Sequence, residues 1–192
     1  MRYWSSLNRK TLKHRCLFIL LTGIFFIFSA CDDPVMDPYT IAFFSDNEVP
    51  TENTISLIRA SSTGDILKLA VDAYSITNGV VHTVYFDLVY RDWIMEYIGY
   101  EPGDFLEQAG SVSYFIDQDS QDPDRLIVGV TLLGPELYVQ GNGVVVFLKF
   151  RPRRLGTSYY EFQNMGMRDI NGIHGNPITG ISWFGGVAKV SR

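Results

Sequence analysis

The sequence is poor in the residues that most often carry catalysis or bind transition metals. Among its 192 residues are only 2 cysteines and 3 histidines. Cys16 and Cys31 both lie near the N-terminus, so residues 32–192 hold no thiol for a disulfide or a cysteine metal site. His82 and His174 lie far apart and belong to no hydrolase elbow or paired-histidine motif. We therefore expect a protein that is not an enzyme and that folds by packing alone.

Positive charge is scarce after the N-terminal segment. All 21 acidic residues lie after Cys31, whereas 5 of the 16 lysines and arginines precede it. Residues 31–192 therefore carry 11 cations against 21 acids, a net charge of −10. Phosphate backbones are bound by basic surfaces, so we expect no nucleic-acid partner.

No apolar run is long enough for a comfortable membrane span, but a short one marks the N-terminus. Residues 16–28 are almost wholly apolar and follow a basic, acid-free segment, which is the pattern of a secretory signal. The run closes on Phe28-Ser29-Ala30-Cys31, which resembles a lipobox. We predict that residues 1–30 are a lipoprotein signal peptide and that Cys31 is lipidated. The mature protein would then be exported and lipid-anchored to a bacterial membrane, at the cell envelope or cell surface. An uncleaved signal anchor is the alternative.

Residues 31–53 are predicted to form the lipidated N-terminus and a tether, because they are rich in acid and contain Pro34, Pro38 and Pro50. The one apolar cluster in this segment, residues 41–44, suits either a short strand docked on the domain or part of the linker. The folded domain is predicted to span residues 54–192, a length that allows one well-formed core.

The rest of the chain alternates between short β-like runs and turn signals. Asn78-Gly79 and Gly141-Asn142-Gly143 are predicted to be turns, and residues 101–108 are the one place for a short helical turn. No long helical periodicity is present, so the pattern predicts an all-β protein, specifically a β-sandwich of eight or nine strands. The predicted strands cover residues 55–60, 66–73, 81–90, 93–100, 111–117, 125–133, 144–150, 157–164 and 178–190.

The strand predicted over residues 81–90 has two distinct faces, because strand side chains alternate. Val84, Phe86, Leu88 and Tyr90 share the predicted core face. The other face is the first candidate for partner binding, since tyrosine is a good interface anchor; an ordinary solvent-exposed face is the alternative. It consists of Thr83, Tyr85, Asp87 and Val89.

An acidic loop is the one candidate metal site. Asp117, Asp119, Asp122 and Asp124 fall within eight residues, and dense carboxylates suit Ca²⁺. The loop lacks the glycine and the final glutamate of an EF-hand. A solvated hairpin loop is therefore favoured, with calcium as the alternative. Residues 169–172 are also predicted to be a turn.

Aromatic residues offer a second kind of site. Exposed in a row, they would make a sugar-stacking platform, whereas core packing is the more common use of such residues. Carbohydrate binding therefore remains an alternative function. The candidates for such a platform are Trp93, Tyr97, Tyr100, Trp183 and Phe184.

Four segments, in this order, resemble motifs of the cohesin domain. They read YFDLVY at 85–90, EPGDFL at 101–106, RLIVGVTLLG at 125–134 and GNGVVVFLKF at 141–150. Gly156-Thr157-Ser158 and residues 169–172 continue the register, so that the resemblance covers about residues 54–191. The chain departs from the family after Tyr90, where cohesins often continue Asp-Pro.

The resemblance implies a nine-stranded jelly-roll β-sandwich, related in architecture to carbohydrate-binding modules. In cohesins the flat sheet that contains the strand matching residues 85–90 receives the dockerin, a module that folds around calcium. The resemblance therefore implies a non-catalytic docking module at the cell envelope with a protein partner, for which a dockerin-bearing protein is the candidate. Polysaccharide binding on the same fold is the runner-up, and a structural envelope component is third.

Overall fold

The computed structural model describes residues 39–61, 65–134, 136–169 and 174–192. The predicted signal peptide, Cys31 and the first part of the tether lie outside these ranges. All regular structure in the described ranges is β, and no helix long and apolar enough to cross a bilayer occurs in them. The strands are β1 Thr40–Ser45, β2 Thr54–Ala60, β3 Leu67–Val81, β4 Thr83–Val89, β5 Met95–Pro102, β6 Val112–Gln118, β7 Arg125–Leu132, β8 Val139–Pro152, β9 Gly156–Arg168, β10 Pro177–Ile178, β11 Ser182–Phe184 and β12 Gly186–Ser191.

The strands form two sheets, which confirms the predicted all-β sandwich. One sheet has seven strands in the order β1-β12-β9-β4-β7-β6, with β10 added beside β9. The other has five strands in the order β11-β2-β3-β8-β5. Every pair of strands is antiparallel except β11 and β2. The inner faces of both sheets contribute to one hydrophobic core.

Alternation along β4 shows how the sequence specifies this arrangement. Val84, Phe86 and Leu88 are buried, while the residues between them are partly exposed on the outer side of the sheet. The two faces of this strand are therefore those predicted. Tyr90 is also buried, with its ring stacked on that of Tyr160. Burial of large apolar side chains supplies the main stabilisation, since the described domain has no disulfide.

The sandwich begins earlier than residue 54. Residues 40–45, which lie in the predicted tether, form β1 and pair with β12 along its whole length. Of the two alternatives for the apolar cluster at 41–44, the docked strand is therefore the one found. Ile41 is buried, and its carbonyl oxygen accepts a hydrogen bond from the Arg59 guanidinium.

Two predicted turns are wrong, because both segments lie inside long strands. Asn78-Gly79 falls within β3, and Gly141-Asn142-Gly143 falls within β8. The pairing of β3 with β8 shifts register at three places along these segments. Gly141 has a φ of 96°, a left-handed backbone conformation that glycine adopts in turns and that here forms a β-bulge instead.

The segment at 101–108 was predicted to hold a short helical turn. It ends β5 and continues as a turn in which Gln108 N–H donates to the Asp104 carbonyl at 3.1 Å.

Candidate partner-binding surface

The outer face of the seven-stranded sheet carries the predicted partner-binding residues. Thr83, Tyr85, Asp87 and Val89 all point away from the core and are partly exposed. Strand β4 lies between β7 and β9, and β6 lies beyond β7 at the edge of the sheet. The four residues therefore sit in the middle of a four-stranded surface, which we call the β6–β9 face (outward residues of β6, β7, β4 and β9).

A groove of about 450 Å³ runs across the β6–β9 face. Its floor is Gly129, which pairs with Tyr85 on one side and with Phe115 on the other. Neighbouring strands lie about 4.8 Å apart, so the Cα atoms of the two aromatic residues are separated by about 10 Å. Phe115 is 59% exposed, an unusual amount for a phenylalanine. The groove is therefore an apolar slot with aromatic walls, and its floor is unfilled because Gly129 has no side chain.

The ring of Tyr85 is fixed by two neighbours on β9. A Cβ atom on Gly166 would come within 2.5 Å of the Tyr85 hydroxyl, so the ring lies directly over this glycine. The Arg168 guanidinium carbon lies 5.6 Å from the ring centroid, a cation–π contact. Arg168 is also held by donating to the Gly175 carbonyl at 2.8 Å. These contacts hold one wall of the groove in place before a partner arrives.

Hydroxyl groups close one end of the groove. The side-chain oxygens of Thr83 and Thr131 lie 2.7 Å apart, and His82 Nδ1 lies 3.2 Å and 3.3 Å from them respectively. His82 Nε2 lies 3.3 Å from the Gly134 carbonyl, which can only accept, so this nitrogen donates when the ring is neutral. His82 is buried, and its contacts hold the side chains of the two threonines in place.

Asp87 provides the charged part of the β6–β9 face. Its carboxylate accepts from the Arg125 guanidinium at 3.2 Å and from the Asn164 side-chain amide at 2.6 Å. Arg125 also lies 3.4 Å from Asp122. The ion pair is partly buried, so that a partner contacting this region meets a fixed polar group beside the apolar groove.

The acidic loop engages its carboxylates in separate local contacts. Asp119 accepts from Gln121 N–H at 2.9 Å, and Asp124 accepts from Asp92 N–H at 2.8 Å. Asp122 contacts Arg125, and Asp117 lies on β6 opposite Ile127. Within the described ranges, no group of three or more acidic or histidine side chains is arranged to hold a metal ion. The calcium alternative for these four residues stays a prediction.

The aromatic residues considered as a sugar platform are distributed between the core and separate surfaces. Trp183 packs against Phe162 with ring centroids 5.2 Å apart. Tyr97 packs 5.9 Å from Phe150, and burial raises its pKa to about 12. Phe184 is partly exposed, while Tyr100 and Trp93 are exposed on or next to β5.

Sequence reasoning identified the residues of β4 but missed the rest of the groove. Phe115, Gly129 and Arg168 lie on three other strands and reach Tyr85 only through the pairing of the sheet. Alternation within the predicted strands 111–117 and 125–133 indicates that Phe115 and Gly129 face outward. No local signal gives the register that aligns them with β4.

Comparison with known proteins identifies the fold. No protein-family model matches the sequence, and no curated protein matches it. Among solved structures, the sixth cohesin of scaffoldin B from Acetivibrio cellulolyticus, in complex with a Cel5 dockerin, is 17% identical, with 79% of this chain and 97% of that chain covered and a TM-score of 0.51. A type II cohesin domain from the cellulosome of the same organism is 17% identical, with 80% and 95% covered and a TM-score of 0.50. The CaCohA2 cohesin of Clostridium acetobutylicum is 14% identical, with 78% and 90% covered and a TM-score of 0.50. The chain therefore has the cohesin fold, a jelly-roll β-sandwich.

Proposed function

We propose that this protein is a non-catalytic docking module that binds a protein partner through the β6–β9 face. The observation that carries the proposal is the groove between Tyr85 and Phe115, with Gly129 as its floor. An apolar slot of this size, bordered by polar groups that are already paired, suits an apolar side chain presented by a protein surface. The free protein exposes these aromatic side chains to water, and a partner would cover them.

A dockerin-type protein is the partner we propose. One of the similar structures is a cohesin in complex with a Cel5 dockerin. The resemblance of residues 85–90 to the cohesin strand on the dockerin-binding sheet supports the same face here. Fold alone does not determine function, so the contacts on the groove have to be tested directly.

We further propose that the module is anchored to a bacterial membrane by a lipid on Cys31. The support is the sequence: a basic segment, a short apolar run and Ser-Ala-Cys at its end. In cells, Cys31→Ala should prevent lipid attachment and signal-peptide cleavage, so that the protein accumulates as the longer precursor that retains residues 1–30. Unchanged processing of this variant would reject the lipid anchor without affecting the docking proposal.

The docking proposal is tested by using residues 31–192 as bait for the secreted and envelope proteins of the source bacterium, with and without Ca²⁺. We expect capture of a protein with dockerin-like calcium loops, and loss of that capture in Phe115→Ala. The control is Tyr74→Ala, because Tyr74 is 40% exposed on the outer face of the other sheet. Equal capture by both variants would reject the groove as the docking site.

Carbohydrate binding is the second candidate function, and a polysaccharide column tests it. Tyr159, another exposed aromatic residue of β9, lies seven residues from Gly166, the partner of Tyr85. At about 3.3 Å per residue, this places it about 23 Å from the groove, too far to form one row with Tyr85 and Phe115. Retention on a polysaccharide column without any protein partner would nevertheless establish the carbohydrate alternative.

A further inference from the structure

The chain enters the sandwich at one end, beside the turn between β8 and β9. The Tyr39 hydroxyl donates to the Arg153 carbonyl at 3.2 Å. Thr40 pairs with Ser191, and Val190 pairs with Gly156, the first residue of β9. The turn at 153–155 and the β4–β5 loop at 90–94 lie at this end, which we call the entry end.

Two exposed apolar side chains lie at the entry end. Trp93 is 51% exposed and Leu155 is 50% exposed. Their two loops are joined through Ile94, whose carbonyl accepts from Arg153 N–H at 2.8 Å and from Arg154 N–H at 3.4 Å. Neither Trp93 nor Leu155 belongs to the groove.

We propose that the entry end rests on the phospholipid bilayer, with Trp93 and Leu155 at the boundary between its headgroups and its acyl chains. This inference rests on the lipid anchor proposed at Cys31. Tryptophan favours the membrane–water interface because its ring is apolar and its N–H remains hydrogen-bonded. The β6–β9 face would then stand roughly perpendicular to the membrane and stay open to a partner.

The length of the chain between the anchor and the sandwich supports this orientation. Seven residues lie between Cys31 and Tyr39, so the eight steps from one Cα atom to the next span at most about 29 Å. Strand β9 has 13 residues from Gly156 to Arg168, which at about 3.3 Å per residue is about 40 Å. An inverted molecule would place Tyr39 about 40 Å from the membrane, beyond the reach of its anchor.

The charges at the entry end favour apolar contact with zwitterionic lipid. Arg153 pairs with Asp92 at 2.5 Å and with Glu96 at 3.0 Å, and Arg151 pairs with Glu96 at 2.8 Å, so that two cations offset the two acids nearest Trp93 in the sequence. None of the ion pairs between described residues involves Arg154. The acidic loop at 119–124 lies at the same end, and residues 31–192 are strongly acidic, so anionic lipid would repel the domain.

The test uses the two tryptophans of residues 31–192 as depth probes. Trp93 is exposed, whereas Trp183 packs against Phe162. Residues 31–192, made without the signal peptide, would be coupled through the thiol of Cys31, the only cysteine, to a maleimide lipid in phosphatidylcholine vesicles with brominated acyl chains. We expect brominated lipid to quench tryptophan emission strongly in this chain and to leave Trp93→Phe, which retains only Trp183, unquenched.

Two further variants place the probe elsewhere in the Trp93→Phe background. Tyr138→Trp moves it to the β7–β8 loop at the opposite end, where Tyr138 is 53% exposed, and Tyr74→Trp moves it to the outer face of the five-stranded sheet. Quenching of either variant as strong as that of Trp93, or no quenching of Trp93, would overturn the proposal. Because the chemical linkage supplies the anchor, such a result is distinct from failure of lipidation in cells, which Cys31→Ala reports.

Discussion

The hydroxyl oxygen of Tyr85 lies over Gly166 so closely that a Cβ on this glycine would approach it to 2.5 Å. Gly166→Ala should therefore displace the Tyr85 ring and deform one wall of the groove. The atoms that must move are the far end of a flexible side chain, so we expect the free energy of unfolding to change by less than about 1 kcal/mol. Partner capture should fall at least tenfold, measured by titration with the captured protein.

A double-mutant cycle provides the control for this prediction. If Gly166→Ala acts through the ring, adding it to Tyr85→Ala should weaken binding no further. Tyr85→Phe should keep the ring in place and retain most of the binding. Wild-type affinity in Gly166→Ala would mean that the position of the ring does not matter to the partner.

Gly129→Ala should change stability and binding in opposite directions. The added Cβ would lie 3.9 Å from the Cβ of Phe115, an ordinary contact, so the substitution fits the strand. Alanine loses less conformational entropy than glycine, which stabilises a strand by about 0.5–1 kcal/mol. The methyl group also raises the floor of the groove and should weaken partner binding.

Urea unfolding and partner titration of Gly129→Ala measure the two effects separately. A purely structural role for Gly129 would give unchanged binding. Increased stability together with unchanged affinity would therefore exclude the floor of the groove from the interface.

The fold was predictable to the extent that its determinants are local. Alternation within β4 gave both its buried face and the outward set with Tyr85, because period-two burial is visible in a single strand. Phe115 and Gly129 were not predictable as neighbours of Tyr85. Their alignment depends on the register of strands separated by dozens of residues, which no local pattern encodes.

The errors at Asn78-Gly79 and Gly141-Asn142-Gly143 have a different cause. Glycine and asparagine supply left-handed backbone both to turns and to β-bulges. Gly141 and Gly143 use it within β8, whereas Asn78 and Gly79 keep a negative φ or extended backbone within β3. Here β3 and β8 pair over long stretches, so bulges between them are compatible with continuous strands. Sequence alone does not distinguish the two uses, because the choice depends on the partner strand.

Phe150 is expected to be the most sensitive core position in the aromatic cluster. Its ring lies 5.1 Å from those of Tyr90 and Tyr160 and 5.9 Å from that of Tyr97, and the residue is fully buried. Phe150→Ala should reduce the free energy of unfolding by about 3–5 kcal/mol, from lost burial and the cavity left behind. Urea unfolding measures the change, with Tyr74→Ala as an exposed control that should cost much less.

Asp72 is expected to destabilise the protein at neutral pH. Burial on the central strand of the five-stranded sheet, with a smaller contribution from Asp104, raises the pKa of its carboxyl group. Between the unfolded and folded pKa values the folded state binds more protons, so stability falls as pH rises through this range. Asp72→Asn should therefore raise the melting temperature at pH 7.

The pH dependence distinguishes this cause from a general packing effect. Below pH 3 the carboxyl group is protonated in both states, so the advantage of Asp72→Asn should largely disappear. Thermal unfolding of both proteins at the two pH values checks this. An equal difference at pH 7 and below pH 3 would assign the effect to something other than ionisation.

Calcium should leave the isolated module unchanged and act through the partner. Asp119, Asp122 and Asp124 already contact Gln121, Arg125 and Asp92 respectively. Calcium needs six to eight oxygen ligands, so binding at the loop would require breaking several of these contacts. We expect millimolar Ca²⁺ to leave the melting temperature of residues 31–192 unchanged while partner capture depends on it. A rise in melting temperature that Asp119→Asn abolishes would instead place the ion in the acidic loop.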